Sequence, residues 1–223
     1  MDDIKEITLP SGALLRFLEE PHEYELWTES AVEPDLLDGI HSVMVQNKIT
    51  KPLEEWARPY VERGSRVHKA TERYDLGLPI DPAWLASDEA RYLEDWKKFL
   101  AEHPEFSVTD RGLVESLVGS EEAGMASVVD RQYREPKILQ VKTGEPNAKV
   151  HAVQMAFEGL MALMSASHFQ CFAVYLKGDG DPKLREYDVF NDGSLAVAQD
   201  IMRARMTTRK YMSKRRKPVK VTT

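Results

Sequence analysis

Cysteine is nearly absent from this chain of 223 residues: Cys171 stands alone. No internal disulfide can form and no thiolate zinc site can be built, so any metal must sit on oxygen or imidazole. Cys171 falls inside the apolar run FQCFAVYL and reads as a small core residue. Also missing is a run of about 18 apolar residues, which excludes a hydrophobic membrane-spanning helix. The amino terminus, MDDIKEITL, is acidic where a secretory leader is basic and then apolar. A soluble cytoplasmic protein without a membrane partner is therefore expected. Internal repeats and low-complexity linkers are lacking as well.

What is present is globular: 42% hydrophobic and 30% charged residues suit one domain with a sizeable core. The net charge is −7, but it is unevenly spread. Residues 203–223 hold Arg203, Arg205, Arg209, Lys210, Lys214, Arg215, Arg216, Lys217 and Lys220 and no acid. Such a basic end attracts polyanions, nucleic acid above all, while the body stays acidic. Three regions follow: an amino-terminal hairpin or meander (1–50), a helical and sheet core (53–202) and a basic tail (203–223).

The segment ITLPSGALLRFLEEPHEYELW, with turns at Pro10-Ser11-Gly12 and Glu20-Pro21, predicts a β-meander. A helix is expected within 53–75, begun afresh near Pro59. A second starts at Asp81-Pro82, with Leu85, Tyr92, Leu93, Trp96, Phe99 and Leu100 as its apolar stripe. FSVTD, GLVESLV, ASVVDRQ and KILQVK then read as an antiparallel strand set. Helical spacing returns over 147–166, followed by strands FQCFAVYLK and KLREYDVF and a last helix over 194–212. The fold class is α/β of the α+β kind, a small central mixed sheet flanked by helices.

Within that frame the polar residues fall on facing strands. Gln140 and Lys142 are two apart on one strand and project to one face, as do Glu115 with Leu113 and Leu117, and Asp130 with Val128. If the strands are neighbours, two acids meet a lysine and an amide, which points to metal-dependent phosphodiester chemistry. Taken singly, Glu115 is a surface acid, Asp130 a turn residue, His68 a hydrogen-bonded core histidine and Lys142 a lysine that extends its head to water.

Four pieces in order, GSRVHKATE, GMASVVD, ILQVKTG and HAVQMAFEG, resemble the PD-(D/E)XK nuclease superfamily, in its RecB-like and phage-type exonuclease branch. FLEEPHEYEL is similar to the Phe-x-x-x-x-His-x-Tyr hairpin of phage members. The resemblance implies a restriction-endonuclease-like core and a Mg²⁺- or Mn²⁺-dependent deoxyribonuclease, an exonuclease of recombination or DNA end processing in a bacterial or phage-infected cell. It implies His68 and Asp130 as metal ligands, a side-chain oxygen from position 140, the Val141 carbonyl as a backbone ligand, and Glu115 for a second metal or its water. Lys142 would orient or activate the attacking water, and Gln154 would contact phosphate or brace that lysine. Glu72 would orient the imidazole or pair with a cation. Arg209, Lys210, Lys214, Arg215, Arg216 and Lys217 would meet the nucleic acid, and a second copy or a recombination protein is the further partner.

Two positions depart from the pattern. Gln140 stands where the branch carries an acid, and Glu158 where it carries a tyrosine. Gln140 is open to three readings: a competent natural ligand, the mark of a binding-only relative, or a Glu-to-Gln change that traps a complex. A neutral oxygen holds a divalent cation weakly, so restoring Glu at 140 is expected to raise activity.

Overall fold

The computed structural model describes residues 4–20, 22–108, 112–163 and 166–215. The meander is built from β1 (Ile4–Thr8), β2 (Leu14–Leu18) and β3 (Glu23–Trp27), each antiparallel to the next. At its turn, Phe17 stacks on Tyr24 with ring centroids 4.9 Å apart and meets His22 edge-on at 5.0 Å. These are the three residues of the hairpin motif. Chain 28–50, given no elements by the sequence, adds β4 (Asp35–Gly39) and α1 (Ile40–Gln46). Ile40, Val43 and Met44 are buried at helical spacing.

A 3₁₀ turn at Glu55–Ala57 leads into α2 (Arg58–Asp75), with Pro59 in its first turn where a missing N–H is harmless. Helix α2 stops because Gly77 takes φ 65°, letting its N–H return to the Tyr74 carbonyl at 3.1 Å while the Leu78 N–H reaches that of Arg73 at 2.8 Å. The helix expected from Asp81 divides into α3 (Pro82–Leu85), capped by the Asp81 carboxylate on the Ala83 N–H, and α4 (Ala90–Glu102). Ser87 causes the break: its Oγ donates to the Trp84 carbonyl at 2.6 Å and accepts from the Glu89 N–H at 3.2 Å, diverting the backbone. Leu85 is consequently exposed, whereas Tyr92, Leu93, Trp96 and Phe99 are buried. FSVTD is not a strand where it is described. Pro104–Phe106 is a 3₁₀ turn that delivers the Phe106 ring onto Tyr133 and Phe172.

Strands β5 (Gly112–Ser120), β6 (Met125–Tyr133) and β7 (Lys137–Lys142) form the expected antiparallel set. Helix α5 (Ala148–Ala162) crosses to β8 (Gln170–Tyr175), parallel to β7, then β9 (Lys183–Tyr187) and α6 (Ser194–Arg215) complete the order. The sheet is larger than expected. The meander joins it through a short parallel pairing of β4 with β6, giving nine strands in the order β1-β2-β3-β4-β6-β7-β8-β9, with β5 on the other edge of β6. The protein is thus mixed α/β around one mixed sheet.

Helices cover both faces. Val43, Val129, Ile138, Met155, Phe157 and Cys171 pack on one side, and Val67, Trp96, Phe99, Leu139, Val141 and Val174 on the other. Helix α5 is buried on most of its surface, Glu158 included, rather than amphipathic. Cys171 is fully buried, with its thiol pushed up by burial, as a core residue should be. The basic region is not a tail from 203 onward, since α6 continues to Arg215. Among the described residues no helix is long and apolar enough to cross a membrane.

Candidate active site

Two strand irregularities coincide at the centre of the sheet. Strands β5 and β6 pair on either side of Glu115 and Asp130 but not there, and Glu115 has φ 51°, a left-handed conformation for a non-glycine residue. Side-chain alternation along β6 changes over at the same point. Ser127 and Val129 face α5, whereas Arg131 and Tyr133 pack against the α4 side. Beyond Arg131 and Leu139 the pairing of β6 with β7 also ends, and the Asp130 carboxylate fills the gap by accepting the Val141 N–H at 2.6 Å. A backbone held this far from its preferred geometry is characteristic of functional sites.

Helix α2 brings His68 to this opening. Its Nδ1 lies 3.2 Å from Asp130 Oδ1 and 3.9 Å from Glu115 Oε1, and ligand atoms of the three residues all fall within 4.8 Å of one another. Glu115 Oε1 is buried without a hydrogen-bond partner. Arg131 Nη1 lies 3.7 Å from it without a hydrogen bond, and a carboxylate oxygen so placed beside an imidazole and a second carboxylate fits a cation of the oxygen-preferring kind. The N–H and C=O of a strand residue point to one edge, so the Val141 carbonyl lies on the Asp130 side of β7. Gly64 faces this region, where a Cβ would make an ordinary contact of 3.4 Å with Thr143 Oγ1.

Without a cation, proton and charges arrange themselves around His68. Burial disfavours its charged form, but Asp130 and then Glu115 outweigh this and push His68 up to about 10. Burial likewise works against the Asp130 carboxylate, which His68 and Lys142 nevertheless hold below the usual range. Glu72 pairs with cations rather than with the imidazole, lying 3.6 Å from Lys5 and 3.5 Å from Lys69, while Lys5 also reaches Glu115 at 3.3 Å. Beneath the site Arg131 is fully buried. It donates to Asp75 at 2.6 Å and to the Asp130 carbonyl at 2.6 Å, with its guanidinium 5.2 Å from the Trp96 ring.

The α5 side carries a second cluster that answers the departure at position 140. Lys142 donates to Gln140 Oε1 at 3.1 Å and to Gln154 Oε1 at 3.3 Å. Each amide then donates from its Nε2 to Glu158, Gln140 at 2.7 Å and Gln154 at 2.9 Å, and Ser127 Oγ adds a third bond at 3.2 Å. Two glutamines bridge one ammonium to one buried carboxylate. Lysine only donates and a carboxylate only accepts, so both amide orientations are dictated. Burial lifts Glu158 to about 7 against the pull of Lys142 and its donors. Gln140 is therefore committed at both ends.

The sequence named His68, Glu115, Asp130, Gln140, Lys142 and Gln154, and all converge here; it missed Glu158, Arg131 and Lys5. Only Glu158 had left a signal, as the residue out of place in its motif. Of the basic residues expected to meet nucleic acid, Arg209 and Lys210 lie on α6 away from the cluster. Arg209 lies 3.6 Å from Asp35, Lys210 is exposed on α6, Lys214 and Arg215 end that helix, and Arg216 and Lys217 lie outside the described residues. Arg205 anchors α6 to Asp38 at 2.6 Å and to the Ala123 carbonyl at 2.9 Å.

Comparison with known proteins gives no match, either to a family profile or to a curated sequence.

Proposed function

We propose that the chain is a metal-dependent deoxyribonuclease of the PD-(D/E)XK type, with a restriction-endonuclease-like core, acting on DNA ends in recombination or end processing. The observation that carries this reading is the Asp130–Val141 hydrogen bond, which couples the His68–Glu115–Asp130 cluster to the residue preceding Lys142. His68, Glu115 and Asp130 would hold the cation, with the Val141 carbonyl beside them. Two carboxylates and one imidazole suit Mn²⁺ or Mg²⁺, the imidazole favouring Mn²⁺. When bound, the ion supplies Lewis-acid stabilisation of the attacked phosphate.

The chain's own contribution centres on Lys142. Gln140 and Gln154 take two of its three N–H donors, leaving the third for a phosphate oxygen or the attacking water. A fixed ammonium at that place stabilises the charge that develops on phosphorus oxygens, and its preorganisation means little rearrangement during reaction. In this reading the acid expected at 140 has its counterpart in Glu158. The charge sits one layer back, on α5, and reaches Lys142 through two amides.

A second reading, a binding module of the same fold without turnover, is favoured by one observation: Gln140 brings no charge to the site and its Oε1 already accepts from Lys142. Incubation with end-labelled duplex and single-stranded DNA in Mn²⁺ decides between them. Metal-dependent loss of label supports the nuclease, and retention of intact, bound DNA supports the module.

A further inference from the structure

The mouth of the site carries aromatic surface that packing does not explain. Trp56 is 70% exposed and Tyr60 57%, so neither ring is used in the core. Their rings meet edge-to-face with centroids 6.3 Å apart. Both line one cleft of about 440 Å³ together with His68, Lys142, Gly144 and His151, so the pair opens directly onto the proposed reaction centre.

The pair is held rather than loose. The Trp56 indole N–H donates to Glu54 at 2.6 Å, fixing the ring plane. Arg63 lies 5.3 Å from the Tyr60 ring and 5.5 Å from Tyr92, so its guanidinium is sandwiched between two tyrosines, and its Nε has no acceptor. Arg63 Nη2 donates to the Thr143 carbonyl at 3.4 Å, so a cation lines the same cleft as the aromatic pair and Lys142. Of the acids nearby, Glu62 pairs with Arg58 at 2.9 Å and Glu145 with Lys177 at 3.0 Å, while Glu54 accepts from the Trp56 indole.

Exposed, braced rings beside a cationic cleft floor match the chemistry of an unpaired nucleotide, whose base offers a π-face and whose phosphate is an anion. A base paired inside a duplex has both faces stacked and a blunt end opens only the outer face of its terminal pair, whereas every base of a single strand can present a face. We propose that Trp56 and Tyr60 form a stacking subsite for an unpaired base at a single-stranded DNA end, with Arg63 and Lys142 facing the adjoining phosphate. This deepens the nuclease reading by assigning its substrate class, and it rests on that reading for the role of Lys142 alone.

The test uses the full chain in EDTA, titrated with an eight-residue oligothymidine while tryptophan fluorescence is followed, and in parallel with a blunt duplex of equal length. Trp56 is the most exposed of the indoles, since Trp96 is buried and Trp27 and Trp84 are half-buried, so quenching reports chiefly on it. The expected result is quenching by the single strand and little by the duplex. Trp56→Ala should lose that quenching and weaken single-strand binding, read by anisotropy of a labelled oligothymidine, by about tenfold, with Tyr60→Ala weakening it and Trp56→Phe nearly retaining it. Unchanged affinity in Trp56→Ala, equal quenching by duplex, or no quenching at all would each overturn the subsite. Matching melting curves exclude misfolding as the cause. Trp56-dependent binding without cleavage in Mn²⁺ would defeat the nuclease reading and leave the subsite standing, and cleavage without it would do the reverse.

Discussion

Changing Gln140 to Glu, which the motif alone recommends as a repair, has a different consequence once Glu158 is in view. The substitution replaces the Nε2 donor, 2.7 Å from a Glu158 oxygen, with a second buried carboxylate oxygen. Two full charges at that distance repel by about 6 kcal/mol at an effective dielectric of ~20, so the pair must share one proton instead. Glu158 already sits at about 7 through burial, so at pH 6 a proton is readily held and the change should be nearly neutral. Above that the variant diverges. The folded pair retains a proton that both glutamates have released in the unfolded chain, and stability should fall by about 1.4 kcal/mol for each pH unit beyond 7. The parent loses its Glu158 contribution between about 4.5 and 7 and has no further slope from this group. Urea denaturation of parent and Gln140→Glu at pH 6.0 and 8.5, without metal, measures the difference. The exchange Gln140→Glu with Glu158→Gln restores one acid and one donor, and should recover stability at pH 8.5. A single variant as stable as the parent at pH 8.5, or a double variant weaker than the single, would refute the bridged-amide account.

Three further outcomes follow from the same geometry. The raised His68 stabilises the metal-free fold fully below its unfolded value of about 6.5 and is lost as pH rises toward 10. His68→Ala should flatten that alkaline decline and weaken Mn²⁺ binding at least about tenfold by calorimetry, whereas a purely structural histidine would lower the melting temperature and leave Mn²⁺ affinity unchanged. Arg131→Met leaves Asp75 buried without its cation and should cost roughly 3–5 kcal/mol in denaturation, with partial rescue by Asp75→Asn; a loss under 1 kcal/mol would remove Arg131 from the supporting role given to it. Deleting the chain after Met212 spares the Arg205 anchor and should flatten the salt dependence of DNA binding, and an unchanged slope would assign the basic end another task.

Much of this was legible from spacing. Pro59 and Asp81-Pro82 mark real boundaries, because they fix local backbone geometry regardless of context, whereas the change of period is expected at 106, ahead of the strand that starts at Gly112. Strand β4 and helix α1 escaped notice: β4 holds the sheet by only two backbone pairs with β6, a contact made far along the chain. The split between α3 and α4 depended on one serine hydroxyl outcompeting helical bonds. For the site, residues on neighbouring strands could be paired on paper, but the break opposite Glu115 could not, since alternation presumes an unbroken ladder. Glu158 stayed hidden for a related reason. A carboxylate on a helix shows its partner only when the helix is docked, and the significance of Gln140 lies entirely in that contact.

The central claim is that Lys142, poised beside the His68–Glu115–Asp130 cluster, serves phosphodiester cleavage. The direct measurement is the rate of label release from end-labelled DNA in Mn²⁺ by the parent and by Lys142→Ala, with DNA binding and melting followed on the same preparations. The account predicts metal-dependent release by the parent, a loss of at least about a hundredfold in the variant, roughly 2.7 kcal/mol of barrier, and binding that is little changed. Equal release by both proteins, or none from the parent on any DNA end despite bound Mn²⁺, would contradict it.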